Sequence, residues 1–174
     1  DKRKEYLEML APLAQEKHAY LTDNAEKLEI SAEKCYGKNA METEQALFAE
    51  FSSNYERDIR LGFTASGPHR DDIKVLIDGV EARVYGSQGQ TRTAALAVKL
   101  AEVEIFRQIS GEYPVLILDD VMSELDLSRR KKLIGKIDGI QTILTCTHTE
   151  KVLYGKECNK IRIANGKIIS SSRK

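Results

Sequence analysis

The chain has 174 residues, enough for one sizeable core or for one domain with a small appendage. Its 27 basic and 27 acidic side chains cancel, so no net field draws it to nucleic acid or to an anionic membrane, and any such contact must come from a local patch. Cys35, Cys146 and Cys158 stand at spacings unlike a zinc or redox motif and read as reduced thiols. The N-terminal Asp-Lys-Arg-Lys-Glu has no apolar signal-peptide core, and no run approaches the ~20 apolar residues that span a bilayer. The expectation is a soluble, cytoplasmic protein without membrane contact.

From Arg3 to Leu21 the apolar residues Tyr6, Leu7, Leu10, Leu13 or Ala14, and Leu21 recur at helical spacing, with Pro12 expected to kink or break the helix. Glu26 to Ala32 alternates Leu28, Ile30 and Ala32 against charged neighbours, as a half-buried strand does. Gly37 to Thr43 reads as a loop, and a second helix is predicted from Glu44 to Arg60. A turn at Gly67-Pro-His-Arg-Asp-Asp72 leads to alternating runs, Ile73 to Ile77 and Val80 to Tyr85, around Asp78-Gly79, a hairpin signal.

Ser87 to Gln90 then precede a long, widely apolar helix over Thr91 to Gln108. The short β-branched runs Val115 to Leu118 and Thr142 to Cys146 flank a charged helix over Leu127 to Ile137, which makes a β-α-β unit with parallel strands. Asn165-Gly166 predicts a closing hairpin. The fold class is therefore α/β.

Asp119 and Asp120 follow an apolar strand, at the carboxyl edge where open α/β sheets bind ligands. In nucleotide hydrolases the first such acid holds magnesium and the second acts on the attacking water. The plainer reading is that one of them caps the following turn. Ser87-Gln88-Gly89-Gln90 has the spacing of a capping box. The same helix start can hold a phosphate, with Gly89 allowing close approach and Ser87 adding a hydroxyl. Ser123-Glu-Leu-Asp126 reads first as a helix cap, and His148, just past an apolar strand, as a candidate phosphate sensor or a solvated loop residue. No Gly-x-x-x-x-Gly-Lys-[Ser/Thr] phosphate loop occurs in the sequence.

These elements, in this order, resemble the signature motif, Walker B segment, D-loop and switch histidine of an ABC-type ATPase head. Gly67-Pro-His-Arg-Asp-Asp72, Gly86-Ser-Gln-Gly-Gln-Thr-Arg92 and Leu118-Asp-Asp-Val-Met-Ser-Glu-Leu-Asp126 together resemble the RecF family of bacterial recombinational-repair ATPases. The resemblance implies a C-terminal lobe of the head over residues 63–174 and the end of a projecting helical arm over residues 1–62. A separate N-terminal lobe would carry the phosphate loop. It implies ATP and Mg2+ as cofactors, with Asp119 on the metal, and Asp120 and His148 facing the nucleotide of their own subunit. Ser87, Gly89 and Gln90 would touch the γ-phosphate held by the opposite subunit of an ATP-dependent homodimer, and Ser123 and Asp126 would lie across the dimer interface.

The resemblance also implies binding to DNA at single/double-strand junctions, and partnership with RecR and RecO. The nearest basic groups are Arg129-Arg-Lys-Lys132, Arg57, Arg60 and Arg70. The position of Asp120 departs from the wider class, where glutamate is commoner. His69 and Arg70 are site candidates without an assigned role. The chain alone, lacking a phosphate loop, is expected to be inactive in ATP hydrolysis. A non-enzymatic interaction module, or another ABC-type head such as a chromosome-maintenance ATPase, are the alternatives.

Overall fold

A computed structural model of the chain describes residues 2–34, 36–147 and 157–173, and its first helix does not stop at the proline. Helix α1 spans Lys2–Thr22. Its buried residues Leu7, Leu10, Ala14, His18 and Leu21 recur every three or four positions and form one stripe. Pro12 lies on the exposed side, where the carbonyl that loses its helical donor can be hydrated. Strand β1, Leu28–Ala32, follows.

Helix α2, Ala40–Leu61, begins four residues ahead of the expected Glu44. Asn39 caps it, its side-chain oxygen accepting the Glu42 N–H at 2.9 Å, while Glu42 accepts the Lys38 N–H at 2.8 Å. That reciprocal arrangement turns the second half of the expected loop into helix. No residue of α2 is buried, and Phe48, Tyr55 and Ile59 are exposed along it.

Strand β2, Ile73–Ile77, pairs antiparallel with β1, with Leu28 opposite Ile77. It turns through Asp78 and Gly79, both at positive φ, into β3, Val80–Glu81. The sheet order is β1-β2-β3. The strand expected to run to Tyr85 ends after two residues. Buried Ala82 starts a helical turn instead, α3, Ala82–Tyr85, and the Ala82 carbonyl accepts the Gly86 N–H.

Helix α4, Gln88–Ser110, packs along α1. Thr93, Ala94, Leu96, Ala97, Leu100, Ala101, Val103 and Ile105 are buried, a wide arc as the sequence predicted, although Phe106 is exposed. Ala14 on α1 and Ala97 and Ala101 on α4 are all fully buried, and such small residues let helices approach closely.

The chain divides into two compact units, residues 1–114 and 115–174. The division does not fall near residue 62, because α1 packs with α4 and β1 pairs with β2. In the second unit β4, Leu116–Leu118, runs parallel to β5, Thr142–Leu144, and α5, Leu127–Lys136, joins them as expected. A 3-10 turn over Val121–Glu124, not anticipated from the sequence, buries Met122 beneath the connection. Leu116, Leu118, Met122, Leu125, Leu133, Ile134 and Ile137 form this unit's core. Strands β6, Asn159–Ala164, and β7, Lys167–Arg173, make the closing hairpin around Asn165 and Gly166, both at positive φ. Among the described residues no helix is long and apolar enough to cross a membrane.

Candidate functional site

In the second unit, β4 ends at Leu118 and hands the chain directly to Asp119 and Asp120, both exposed. The Thr145 hydroxyl donates to Asp119 Oδ1 at 2.5 Å and accepts the Asp120 N–H at 2.9 Å. Asp120 sits in the left-handed region, at φ 50° and ψ 18°, as the residue preceding the 3-10 turn, and its side chain makes no capping hydrogen bond there. Aspartate is among the few non-glycine residues that enter this region readily. The capping alternative for the doublet therefore finds no support in the hydrogen bonds of either carboxylate.

Ser123 and Asp126 follow. The Ser123 hydroxyl and N–H both donate to the Asp120 carbonyl, at 2.9 and 3.2 Å, so Ser123 braces the strained residue. Asp126 caps α5 by accepting the Arg129 N–H at 2.9 Å and lies 3.3 Å from the Arg129 guanidinium. The backbone bond from Arg129 holds the Asp126 carboxyl below its ordinary value, burial opposing and the Arg129 charge adding. The cap predicted for this segment is thus present. Arg130 donates to the Leu125 carbonyl at 2.7 Å, so the basic cluster is partly engaged within its own unit. His148 lies outside the described residues.

In the first unit, Ser87 caps α4 with a complete capping box. Its hydroxyl accepts the Gln90 N–H at 3.2 Å, and the Gln90 side chain accepts the Ser87 N–H at 2.9 Å. The approach to this cap depends on Gly86, where a Cβ would come 2.5 Å from the Ala82 carbonyl oxygen. The Gly89 carbonyl accepts the Thr93 hydroxyl at 2.7 Å. Ser87 and Gly89 are exposed at the helix start, at the positive end of the helix dipole, and Gln90 is half-buried with its N–H taken by the Ser87 hydroxyl.

The Gly67 to Asp72 motif acquires a structural role. Gly67, at φ 118°, opens a turn closed by the Arg70 N–H to the Gly67 carbonyl. Asp71 accepts from Tyr36 at 2.7 Å and from Arg3 at 3.2 Å, and Arg3 also donates to the Pro68 carbonyl at 2.6 Å. Asp72 accepts from Arg83 at 2.8 Å and from the Ile73 N–H at 2.8 Å. The two aspartates therefore knot the start of α1, the segment before α2 and the turn α3 together. A His69 ring nitrogen lies 3.1 Å from the Thr64 carbonyl, and Arg70 stacks 4.9 Å over Phe63. Both residues are exposed. Burial and the Asp71 hydrogen bond push the Tyr36 hydroxyl up to about 12.

Among the described residues no group of three or more His, Cys, Asp or Glu side chains is placed to share a metal ion. Magnesium binds through one or two carboxylates plus waters and substrate phosphates rather than in an all-protein cage, and the exposed Asp119 and Asp120 are the carboxylates at the end of β4 that could serve it. Asp119, with one oxygen engaged by Thr145 and the other not committed to it, fits that role.

With parallel strands β4 and β5 and the capped helix α4, the chain has part of an ABC-type ATPase fold, as its likeness to two solved structures shows. A solved structure of the recombination mediator protein RecF in its ATPrS form superposes with a TM-score of 0.77 at 38% identity, covering 96% of this chain and 45% of that one. One of RecF with ATP gives 0.75 at 37% identity, covering 99% and 45%. The DNA replication and repair protein RecF of Clostridium acetobutylicum is 41% identical over 171 residues, 97% of this chain and 47% of the relative. That of Ruminiclostridium cellulolyticum is 38% identical over 174 residues, 97% and 47%. No protein-family model matches the chain. The chain belongs to the RecF family and spans about half the length of the curated relatives it matches.

Proposed function

We propose that the chain is the C-terminal part of an ATP-dependent DNA-binding protein of recombinational repair. Its signature helix and Walker B strand would complete nucleotide sites whose phosphate loop lies on another lobe. The observation that carries this reading is the exposed Asp119–Asp120 pair at the end of β4, whose side chains cap no helix. In this reading Asp119 holds magnesium and Asp120 orients the attacking water, both as expected from the strand edge. Bound magnesium would supply charge neutralisation on the phosphates. Ser87, Gly89 and Gln90 present hydroxyl, backbone and amide groups to the γ-phosphate of a partner subunit's ATP, and ATP-driven homodimerisation follows from that division. Ser123 and Asp126 face the partner, and His148 senses the phosphate. DNA, RecR and RecO are the partners of the whole protein, and the chain by itself does not turn over ATP.

Of the arm proposed over residues 1–62, α2 fits best, since none of its residues is buried while α1 and β1 pack within their unit. The test is Asp119→Asn in a protein that includes the phosphate-loop lobe. Asparagine retains an acceptor for Thr145 and the shape of the side chain, so stability should hold while magnesium-dependent hydrolysis is lost. Unchanged hydrolysis would remove the carboxylate from the site. An interaction module is the second reading. It is favoured by the complete capping roles of Ser87 and Asp126 and by the exposed Phe48, Tyr55 and Ile59 on α2.

A further inference from the structure

We infer that Thr145 is a positioning residue for the carboxylate pair, one hydroxyl that sets the Asp119 side chain and the Asp120 backbone together. The inference rests on the reading of Asp119 and Asp120 as a metal-and-water pair. Its physical origin is the strand register. Strands β4 and β5 pair in parallel with Leu118 opposite Leu144, and the ladder continues one step further, the Thr145 N–H donating to the Leu118 carbonyl at 3.0 Å. Thr145 is thereby held beside the first residue past β4.

A threonine hydroxyl has one proton to give and two lone pairs to receive. Here the proton goes to Asp119 Oδ1 and one lone pair receives the Asp120 N–H. The first bond leaves Asp119 Oδ2 as the oxygen not committed to Thr145 and fixes the carboxylate's rotation. The second acts on a residue in the left-handed region, whose carbonyl is gripped from the other side by Ser123. Asp120 is therefore clamped at its N–H by Thr145 and at its carbonyl by Ser123, which sets the direction of its Cα–Cβ bond. A metal-ligating carboxylate held by an outer hydrogen-bond partner is a recurrent arrangement, and loss of such a partner typically lowers metal affinity or activity by about 10–100-fold.

The test compares Thr145→Val, Thr145→Ala, Thr145→Ser and Asp119→Asn in a protein that includes the phosphate-loop lobe. Mn2+ binding in the presence of ATP is read by electron paramagnetic resonance, and the Mg2+ dependence of kcat is read apart from the KM for ATP. Valine keeps the branched shape and removes the hydroxyl; alanine serves if the valine variant does not fold. The expected result is Mn2+ affinity about 10–100-fold weaker in Thr145→Val or Thr145→Ala, restored in Thr145→Ser, with KM for ATP nearly unchanged. Wild-type Mn2+ affinity in Thr145→Val, while Asp119→Asn loses it, would overturn the positioning role alone. Equal losses in the serine and valine variants would overturn it too, since the methyl rather than the hydroxyl would then matter. Wild-type affinity in Asp119→Asn would overturn the metal reading and this inference with it.

Discussion

Replacing Ser87 by aspartate separates two roles that its position superposes. As a cap, Ser87 contributes one of the two bonds of the capping box, its hydroxyl accepting from Gln90, while the Ser87 N–H donates independently to the Gln90 side chain. Ser87→Ala removes the first bond and leaves the second. Because the site is exposed, water can take up the freed amide, and the loss should stay near about 0.5–1 kcal/mol, roughly two- to fivefold in the folded-to-unfolded ratio. Ser87→Asp keeps an acceptor for the Gln90 N–H and adds about 0.3–1 kcal/mol of favourable interaction with the helix dipole. Its stability should match or exceed the wild type's.

As a phosphate contact the aspartate has the opposite effect. Two like charges about 4 Å apart at an effective dielectric near 20 repel by about 4 kcal/mol, roughly a thousandfold in binding. Urea unfolding of this chain followed by circular dichroism reads the first quantity. ATP-dependent association of the protein with its phosphate-loop lobe, followed by light scattering, reads the second. Stability preserved and association abolished is the expected pair. Association like wild type in Ser87→Asp would reduce Ser87 to a cap, and unfolding earlier than Ser87→Ala would contradict the capping geometry.

Other consequences can be checked separately. The Asp126 carboxyl is held low in the folded state, so its contribution is present above the ordinary value of about 3.9 and is lost as pH falls below it. Asp126→Asn, which caps but does not titrate, should flatten the acid limb of a stability–pH curve there. Tyr36 is raised to about 12, so its contribution is full below about pH 10 and is lost as pH climbs from there through 12. Tyr36→Phe should lose that alkaline limb, and ultraviolet titration should show one late-ionising phenol fewer. Asp120→Glu should raise turnover by lengthening the arm, with a stability loss of about 1 kcal/mol because glutamate enters the left-handed region less readily. No gain in turnover would argue that arm length does not limit hydrolysis.

Local signals carried much of the fold. Asp78-Gly79 and Asn165-Gly166 mark tight turns because both residues of each pair adopt positive φ, and the β-branched runs around α5 form the expected parallel pair. The early start of α2 was masked by Gly37 and a polar stretch, although Asn39 and Glu42 stand three apart as a capping pair should. Beyond Glu81 the alternation continues in the sequence, but the backbone turns into the short helix α3 at the buried Ala82. At the site, the acidic doublet and the Ser87 cap were visible as motifs. The partners that hold them were not. Arg3 meets Asp71 across 68 residues and Thr145 meets Asp119 across 26, and no periodicity in a single sequence announces such pairs. A threonine at the end of an apolar strand looks like an ordinary β-former until the register places it beside a carboxylate.

On the proposed reading this chain supplies half of a composite ATP site. The most direct measurement is ATP hydrolysis by a separately expressed phosphate-loop lobe, alone and mixed with this chain as wild type, Asp120→Asn and Ser87→Arg. Turnover that needs the wild-type chain and disappears with either variant is the predicted result. No turnover from folded, associated pieces, or turnover indifferent to both substitutions, would contradict it.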